Sequence, residues 1–257
     1  MTFDVRTVDL GVLNSLTKYP SIPTYHALDA TNGGLLEECA GFDGPVIGTE
    51  KVDGTNARII SLPDGTFLLG SREELLYAKG DLIGNPAQGI VSALRPVAEA
   101  LAPVGHDVVR VHYFEVYGGK ITAAAKQYTG ERAVGLRLFD VAVLSDYAEK
   151  LTWPPVKVST WREDGGQRYL TEPELRETAE RDGLELTPKL FTLEPGVLPS
   201  AIQEMSEFLT ERLPRTLSAL DGAAGGRAEG IVLRTPDRAT IAKARFQDYE
   251  RTLKRRR

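Results

Sequence analysis

Residues 48–58 read Gly48-Thr49-Glu50-Lys51-Val52-Asp53-Gly54-Thr55-Asn56-Ala57-Arg58, a single lysine set before an Asp-Gly turn and an asparagine, between the apolar-rich runs 45–52 and 55–62. Short apolar runs bounded by turn residues predict strands. The turn Pro63-Asp64-Gly65 and the run Thr66 to Leu69 continue the pattern, so a strand meander is expected, with Lys51 at the end of its first strand. A lysine placed there can project into a cleft, and Gly54 lets the backbone pack closely against a bound molecule.

Working outward, Pro86 to Leu101 has apolar residues at helical spacing with a proline near its start, which predicts a helix. Val108 to Val116 and Leu136 to Leu144 are strand-like. Thr171-Glu172-Pro173 opens a helix that Gly183 ends, and Ser200-Ala201-Ile202-Gln203 reads as the capping-box start of another that runs to Pro214. After the loose stretch 221–226, the runs Glu229 to Arg234 and Thr240 to Arg245 flank a turn at Thr235-Pro236-Asp237-Arg238, predicting a hairpin with acid on one strand and base on the other.

The chain has 257 residues, 42% of them hydrophobic and 26% charged, enough to bury a full core as one large domain. A net charge of -5 gives no field that attracts nucleic acid, so any polyanion site must be a local basic patch. One cysteine, Cys39, excludes a disulfide framework or thiolate metal cluster within the chain and reads as a small buried residue in a reducing compartment. No apolar run reaches the roughly 18 residues of a membrane span, and the first ten residues lack the order of a signal peptide. A cytoplasmic protein with no membrane partner is expected.

A lysine becomes a nucleophile when desolvation or neighbouring positive charge removes its proton near neutral pH. Lys243 and Arg245 alternate with apolar residues and share one strand face, supplying that charge. Glu115 and Glu229 sit in apolar runs, where a carboxylate is costly unless paired or wrapped around a hydrated cation. A Mg²⁺ that keeps several waters and touches few carboxylates suits a nucleoside triphosphate. The set points to phosphoryl-group chemistry. His26, His106 and His112 lack metal-ligand spacing and read as packing or surface residues; Gly118-Gly119-Lys120 lacks the remainder of a phosphate loop. Trp153, Pro154, Pro155 and Trp161 read as a packed loop, with a nucleic-acid stacking surface as the alternative.

Lys51-Val52-Asp53-Gly54-Thr55-Asn56 resembles motif I of the covalent nucleotidyltransferases, the superfamily of polynucleotide ligases and messenger-RNA capping enzymes. Gly70-Ser71-Arg72 resembles the arginine motif that follows it, Phe114 to Gly118 motif III, Leu138 to Val141 motif IIIa, Glu229 to Arg234 motif IV, and Ile241 to Arg245 motif V. Six motifs in order are a far stronger signal than one Lys-x-Asp-Gly. The Glu50-Lys51 pair, Thr55-Asn56 and Glu-Gly-Ile-Val-Leu-Arg are most similar to the RNA ligases of the phage T4 RNA ligase 2 group.

The resemblance implies an α+β fold: an ATP-grasp-like nucleotidyltransferase (ligase) domain of two antiparallel sheets with flanking helices and a central nucleotide cleft. It also implies an ATP-dependent RNA ligase: Lys51 takes AMP from ATP, passes it to a 5′-phosphate end, and a 3′-hydroxyl displaces it. Lys243 and Arg245 then contact phosphate, while Asp53, Glu115 and Glu229 hold the waters of Mg²⁺ or Mn²⁺, or the ribose. Phe139 and Val232 sandwich adenine, Glu50 reads its amino group, Asn56 positions the nucleotide, and Arg72 engages the 5′-phosphate end. Arg245 departs from the family's usual second lysine, and an arginine fork binds phosphate with different geometry.

Only twelve residues follow Arg245, too few for an oligonucleotide-binding barrel or a helical domain. The expectation is one domain over 1–257, made of an N-terminal segment 1–44, a core 45–246 and a basic tail 247–257. RNA would then be gripped by the domain's own surface, the tail or a protein partner, at ends in a nicked duplex or an RNA/DNA hybrid. The tail either touches phosphates or is a frayed solubilising terminus. The alternatives are a GTP-dependent capping guanylyltransferase, a DNA nick ligase, and an end-binding subunit without chemistry of its own.

Overall fold

A computed structural model describes residues 3–78, 81–83, 89–194 and 196–256. The chain divides into two compact units interleaved in sequence: Met1–Ser21, Gly54–Thr122 and Val134–Leu186 form the first, and Ile22–Asp53, Ala123–Ala133 and Thr187–Arg257 form the second. Both are α+β with antiparallel sheets.

The second unit is built on β3 (Val46–Lys51), which pairs with β10 (Lys189–Leu193) on one side and β11 (Gly230–Arg234) on the other; β12 (Ile241–Arg245) completes the order β10-β3-β11-β12. A two-stranded ribbon, β1 (His26–Leu28) and β2 (Leu35–Cys39), adds a small second sheet. Helices α6 (Ile202–Arg212) and α7 (Phe246–Arg255) contribute Ile202, Met205, Leu209, Phe246 and Tyr249 to a core shared with Val46, Phe191, Ile231, Leu233, Ala242 and Ala244. The expected helix after Ser200 is present, but its N-cap is Ala201 and no capping box forms; the Glu37 carboxylate of β2 accepts the Ile202 N–H at 3.1 Å instead. A residue distant in sequence thus takes over what a local cap would do.

The tail is a docked helix. Phe246, Tyr249 and Thr252 are buried, and three tail arginines are engaged: Arg251 donates to the Gly33 carbonyl at 2.5 Å, Arg255 to the Asn32 carbonyl at 2.6 Å and Arg256 to Glu37 at 2.6 Å. His26, buried at the ribbon, meets the Tyr249 hydroxyl and the Ser200 carbonyl, each at 2.8 Å, in the packing role expected of it.

The first unit holds a six-stranded sheet in the order β7-β6-β5-β4-β8-β9, from β4 (Thr55–Ser61), β5 (Phe67–Ser71), β6 (Leu75–Ala78), β7 (Asp81–Leu82), β8 (Val109–Gly118) and β9 (Val134–Leu144). β3 and β4 do not pair, which corrects the expected meander: the Asp53-Gly54 turn carries the chain from a strand of one unit to a strand of the other. From β4 onward the meander is as expected, with Asp64 accepting the Thr66 N–H at 2.9 Å inside the turn.

One face of this sheet carries Ala57, Ile59, Leu69, Phe114, Val116, Leu138 and Val141, covered by α2 (Ile90–Ala100) and α5 (Glu172–Arg181) through Ile90, Val91, Leu94, Leu175 and Ala179. The expected helix start at Pro86 lies outside the described residues. At Thr171 the capping box is formed, with the Thr171 N–H donating to Glu174 at 2.8 Å. The unit also contains α1 (Leu10–Thr17), α3 (Tyr147–Lys150) and α4 (Pro155–Glu163). The Trp153 to Trp161 stretch, expected as a loop, instead enters α4 at Pro155, and the Lys150 ammonium lies 4.9 Å from both indole centroids. No helix among the described residues is long and apolar enough to cross a membrane.

His112 on β8 is 2% exposed, and its Nε2 lies 3.7 Å from Asp182, beyond hydrogen-bond reach. Burial outweighs the attraction of that carboxylate and pulls the imidazole below its ordinary value, with Arg110 and Arg181 pushing the same way. A group depressed on folding contributes stability that is complete above its unfolded value and lost as pH falls below it. The unfolding temperature should hold steady above about pH 6.5 and fall as pH drops below it, a fall that His112→Gln reduces in thermal melts; Asp182 is held well below the ordinary aspartate range and titrates below that window.

Candidate active site

Register places the chemistry of the second unit. Lys51 of β3 lies opposite Gly230 of β11, which lies opposite Arg245 of β12; two residues along, Thr49, Val232 and Lys243 form the next row. Strand alternation sets Lys51, Val232, Lys243 and Arg245 on one face, opposite the core residues Ile231 and Ala244. Glu229 precedes β11, its N–H donating to the Lys51 carbonyl at 3.0 Å, and its carboxylate ion-pairs with the Lys51 ammonium. Arg245 lies 3.7 Å from the other Glu229 oxygen and holds Asp248 with two bonds of 2.7 and 3.1 Å. Burial opposes the charge on Arg245, but Asp248 and Glu229 outweigh it and raise its pKa.

Asp53 follows two residues later, anchored through its N–H to the Tyr128 hydroxyl at 2.6 Å. Its carboxyl is raised above the ordinary aspartate value, first by burial and then by repulsion from Glu229, with Lys51 opposing. Two carboxylates that repel one another beside a lysine are a donor pair that a hydrated divalent cation would relieve. Among the described residues no group of three or more His, Cys, Asp or Glu is gathered to hold a metal.

Glu50 falls on the opposite face from Lys51. It is 1% exposed, and its two oxygens accept the Thr216 hydroxyl at 2.5 Å and the Leu217 N–H at 2.7 Å. The resemblance assigns Glu50 to reading adenine; here its carboxylate ties residues 216–217 to the strand that ends in Lys51.

The first unit holds Asn56, Arg72, Glu115 and Phe139. Asn56, Glu115 and Arg137 pair in a row across β4, β8 and β9. Glu115 accepts the Gly54 N–H at 3.1 Å, and a Cβ on Gly54 would stand 2.3 Å from the Val116 carbonyl oxygen, so only glycine fits there. The Asn56 side-chain oxygen is buried without a hydrogen-bond partner among the described residues, an unmade bond suited to a ligand. Arg137, which motif reading passed over, pairs with Glu185 at 2.6 Å.

Phe139 stands at a β-bulge: Tyr113 pairs with Asp140 and Phe114 with Leu138, leaving Phe139 as the extra residue. The bulge lets Leu138 and Val141 both face the core while Phe139 turns to the other side, its ring 5.0 Å from Tyr19 and 6.3 Å from Tyr113. Asp140 is fully buried and accepts the Tyr19 hydroxyl at 2.8 Å. Arg72 follows β5 with its side chain 58% exposed.

Comparison with known proteins follows the same outline. The family model described as RNA ligase matches residues 44–254. A search of curated proteins gave no match. Among solved structures, the chain is similar to the Naegleria gruberi RNA ligase with PPi, at 16% identity and TM-score 0.53, over 82% of this chain and 52% of that one. It is also similar to an archaeal ATP-dependent RNA ligase, at 18% identity and TM-score 0.51, over 90% of this chain and 49% of that one. The chain thus spans about half the length of these structures, and the likeness is one of fold.

Glu50→Ala leaves the Thr216 hydroxyl and the Leu217 N–H without their acceptor. A loss of about 2–3 kcal/mol is expected, measured as a lower denaturant midpoint with an unchanged slope.

Proposed function

Because the chain belongs to the RNA ligase family, we propose that it is an ATP-dependent RNA ligase that joins 5′-phosphate and 3′-hydroxyl ends through a lysyl-AMP intermediate on Lys51, in RNA repair. The observation that carries this reading is the face of β3, β11 and β12 on which Lys51, Glu229, Lys243 and Arg245 converge. Mutants of the Naegleria gruberi ligase have been captured with ATP and Mn and with AMP and Mn, which supports adenosine nucleotide and a divalent ion here.

Lys51 Nζ gives up one proton to solvent and attacks the α-phosphorus of ATP as the neutral amine; a nitrogen–phosphorus bond forms, the bond to pyrophosphate breaks so that pyrophosphate leaves with its electron pair, and Nζ releases a second proton to solvent. Glu229 orients the amine through its contact with Nζ. Lys243 and Arg245 on the same face meet the negative charge that develops on phosphate. Arg245 is preset for this by its fork to Asp248. Asp53 and Glu229 would hold the Mg²⁺ or Mn²⁺, which neutralises triphosphate charge when bound. In the first unit, Asn56 offers its unmet carbonyl to the nucleotide, Glu115 orders the Gly54 backbone beside the motif, Phe139 presents a ring for adenine, as Val232 does its side chain in the second unit, and Arg72 offers an exposed guanidinium to the RNA 5′-phosphate.

The test is incubation of the protein with ATP or GTP radiolabelled at the α-phosphate, with Mg²⁺ or Mn²⁺, followed by a denaturing gel. Acid-labile label from ATP, absent in Lys51→Ala and lowered about 100-fold or more in Lys243→Ala and Arg245→Ala, is the expected result. Label from GTP would instead indicate capping chemistry, and no label from either would leave an end-binding protein. Joining of paired RNA and DNA ends then separates RNA from DNA ligation.

A further inference from the structure

Arg58 is among the largest fully buried side chains, and none of the chemistry above uses it. It lies on β4 two residues beyond Asn56, on the same strand face. One terminal nitrogen donates to the carbonyls of Ser71 at 2.6 Å and Arg72 at 3.1 Å; the other donates to the Asn14 carbonyl at 3.4 Å and to the Asn14 side-chain oxygen. None of these acceptors is a carboxylate, and among the described residues the remaining Nε has no partner. Burying a cation on such terms is costly, and an apolar side chain would fill the volume more cheaply. Burial lowers the guanidinium to about 10, which still leaves it charged at neutral pH.

The stretch Gly70-Ser71-Arg72 is shaped around that guanidinium. Arg58 pairs in register with Gly70, where a Cβ would stand 3.2 Å from the guanidinium carbon and 3.0 Å from the Glu74 carbonyl oxygen. Among the described residues Arg72 itself makes long contacts, 3.4 Å to the Ser21 hydroxyl and 3.5 Å to Glu73. Its backbone is held by Arg58 while its side chain is left largely exposed.

We infer that Arg58 is a positioning residue: its fork fixes the backbone at Ser71 and Arg72, so that the Arg72 guanidinium is presented to the 5′-phosphate of an RNA end. This rests on the reading of Arg72 given above. A planar fork can hold two adjacent carbonyls and a third acceptor together, which an ammonium cannot match in geometry.

The test compares Arg58→Met, Arg58→Lys, Arg72→Ala and the Arg58→Met/Arg72→Ala double variant of the full chain. Trypsin cleavage after Arg72, well below the unfolding temperature, should be about tenfold faster in Arg58→Met, as loss of hydrogen bonds to a charged group implies. The KM for a 5′-phosphorylated RNA end at saturating ATP should rise by a similar factor, with a smaller change in kcat. The double variant should join ends no worse than Arg72→Ala alone, since coupled residues fail to add. Arg58→Lys should fall between wild type and Arg58→Met, and it decides the matter if Arg58→Met does not fold. A lower unfolding temperature with wild-type cleavage after Arg72 and wild-type KM, or losses that add in the double variant, would overturn the inference. Absence of ATP labelling in the wild type would overturn the ligase reading instead, and the cleavage rate after Arg72 would still decide whether Arg58 holds that backbone.

Discussion

The antiparallel register that sets Lys51 against Gly230, and Gly230 against Arg245, is the constraint on which the second unit's chemistry depends. Side chains alternate between sheet faces, so a slip of one residue between β3 and β11 would turn Lys243 and Arg245 into the core and bring Ile231 and Ala244 out, and a slip between β11 and β12 would do the same to β12 alone. The core prevents this, because Ile231, Leu233, Ala242 and Ala244 are all buried against α6 and α7. Hydrophobic packing on one face thereby fixes the placement of charge on the other. Gly230 sits in the middle of the row without a side chain, leaving the space beside Lys51 to Glu229 and Arg245.

The first unit handles polar groups by the opposite means. Its sheet is apolar on the face under α2 and α5, while the other face buries Arg58, Tyr113 and Asp140 in one cross-strand row. Such groups are tolerated because each finds partners: Arg58 on backbone carbonyls, Tyr113 on the Thr17 carbonyl at 3.0 Å, and Asp140 on Tyr19. His112 on the apolar face has no such partner within hydrogen-bond reach, and it stays neutral instead. Buried polar networks of this kind specify one geometry, which suits elements that carry Asn56, Arg72 and Phe139.

Much of the molecule could be read locally. The strands around Lys51, the turn at Asp64, the capping box at Thr171 and the hairpin of Glu229 and Lys243 all appear where apolar period and turn chemistry indicate them. Short elements did not announce themselves: β1, β2, β10 and α4 have few residues, and their burial patterns are set by neighbours supplied from elsewhere in the chain. Ser200 carries a capping signature that goes unused because Glu37, distant in sequence, reaches the helix start first.

The sequence by itself determined the family outline, because motif I, the glutamates and the basic pair that the proposed chemistry draws on are written in contiguous residues whose types and order are visible without coordinates. Only the tertiary structure decided that β3 and β4 part company at Asp53-Gly54, that a bulge turns Phe139 away from the core, and that Glu50 and Arg58 are buried as ties. The physical reason is that strand period and turn propensity are properties of neighbouring residues. The choice of pairing partner, and the acceptor that a buried donor finds, depend on segments tens to hundreds of residues away, which no local pattern encodes.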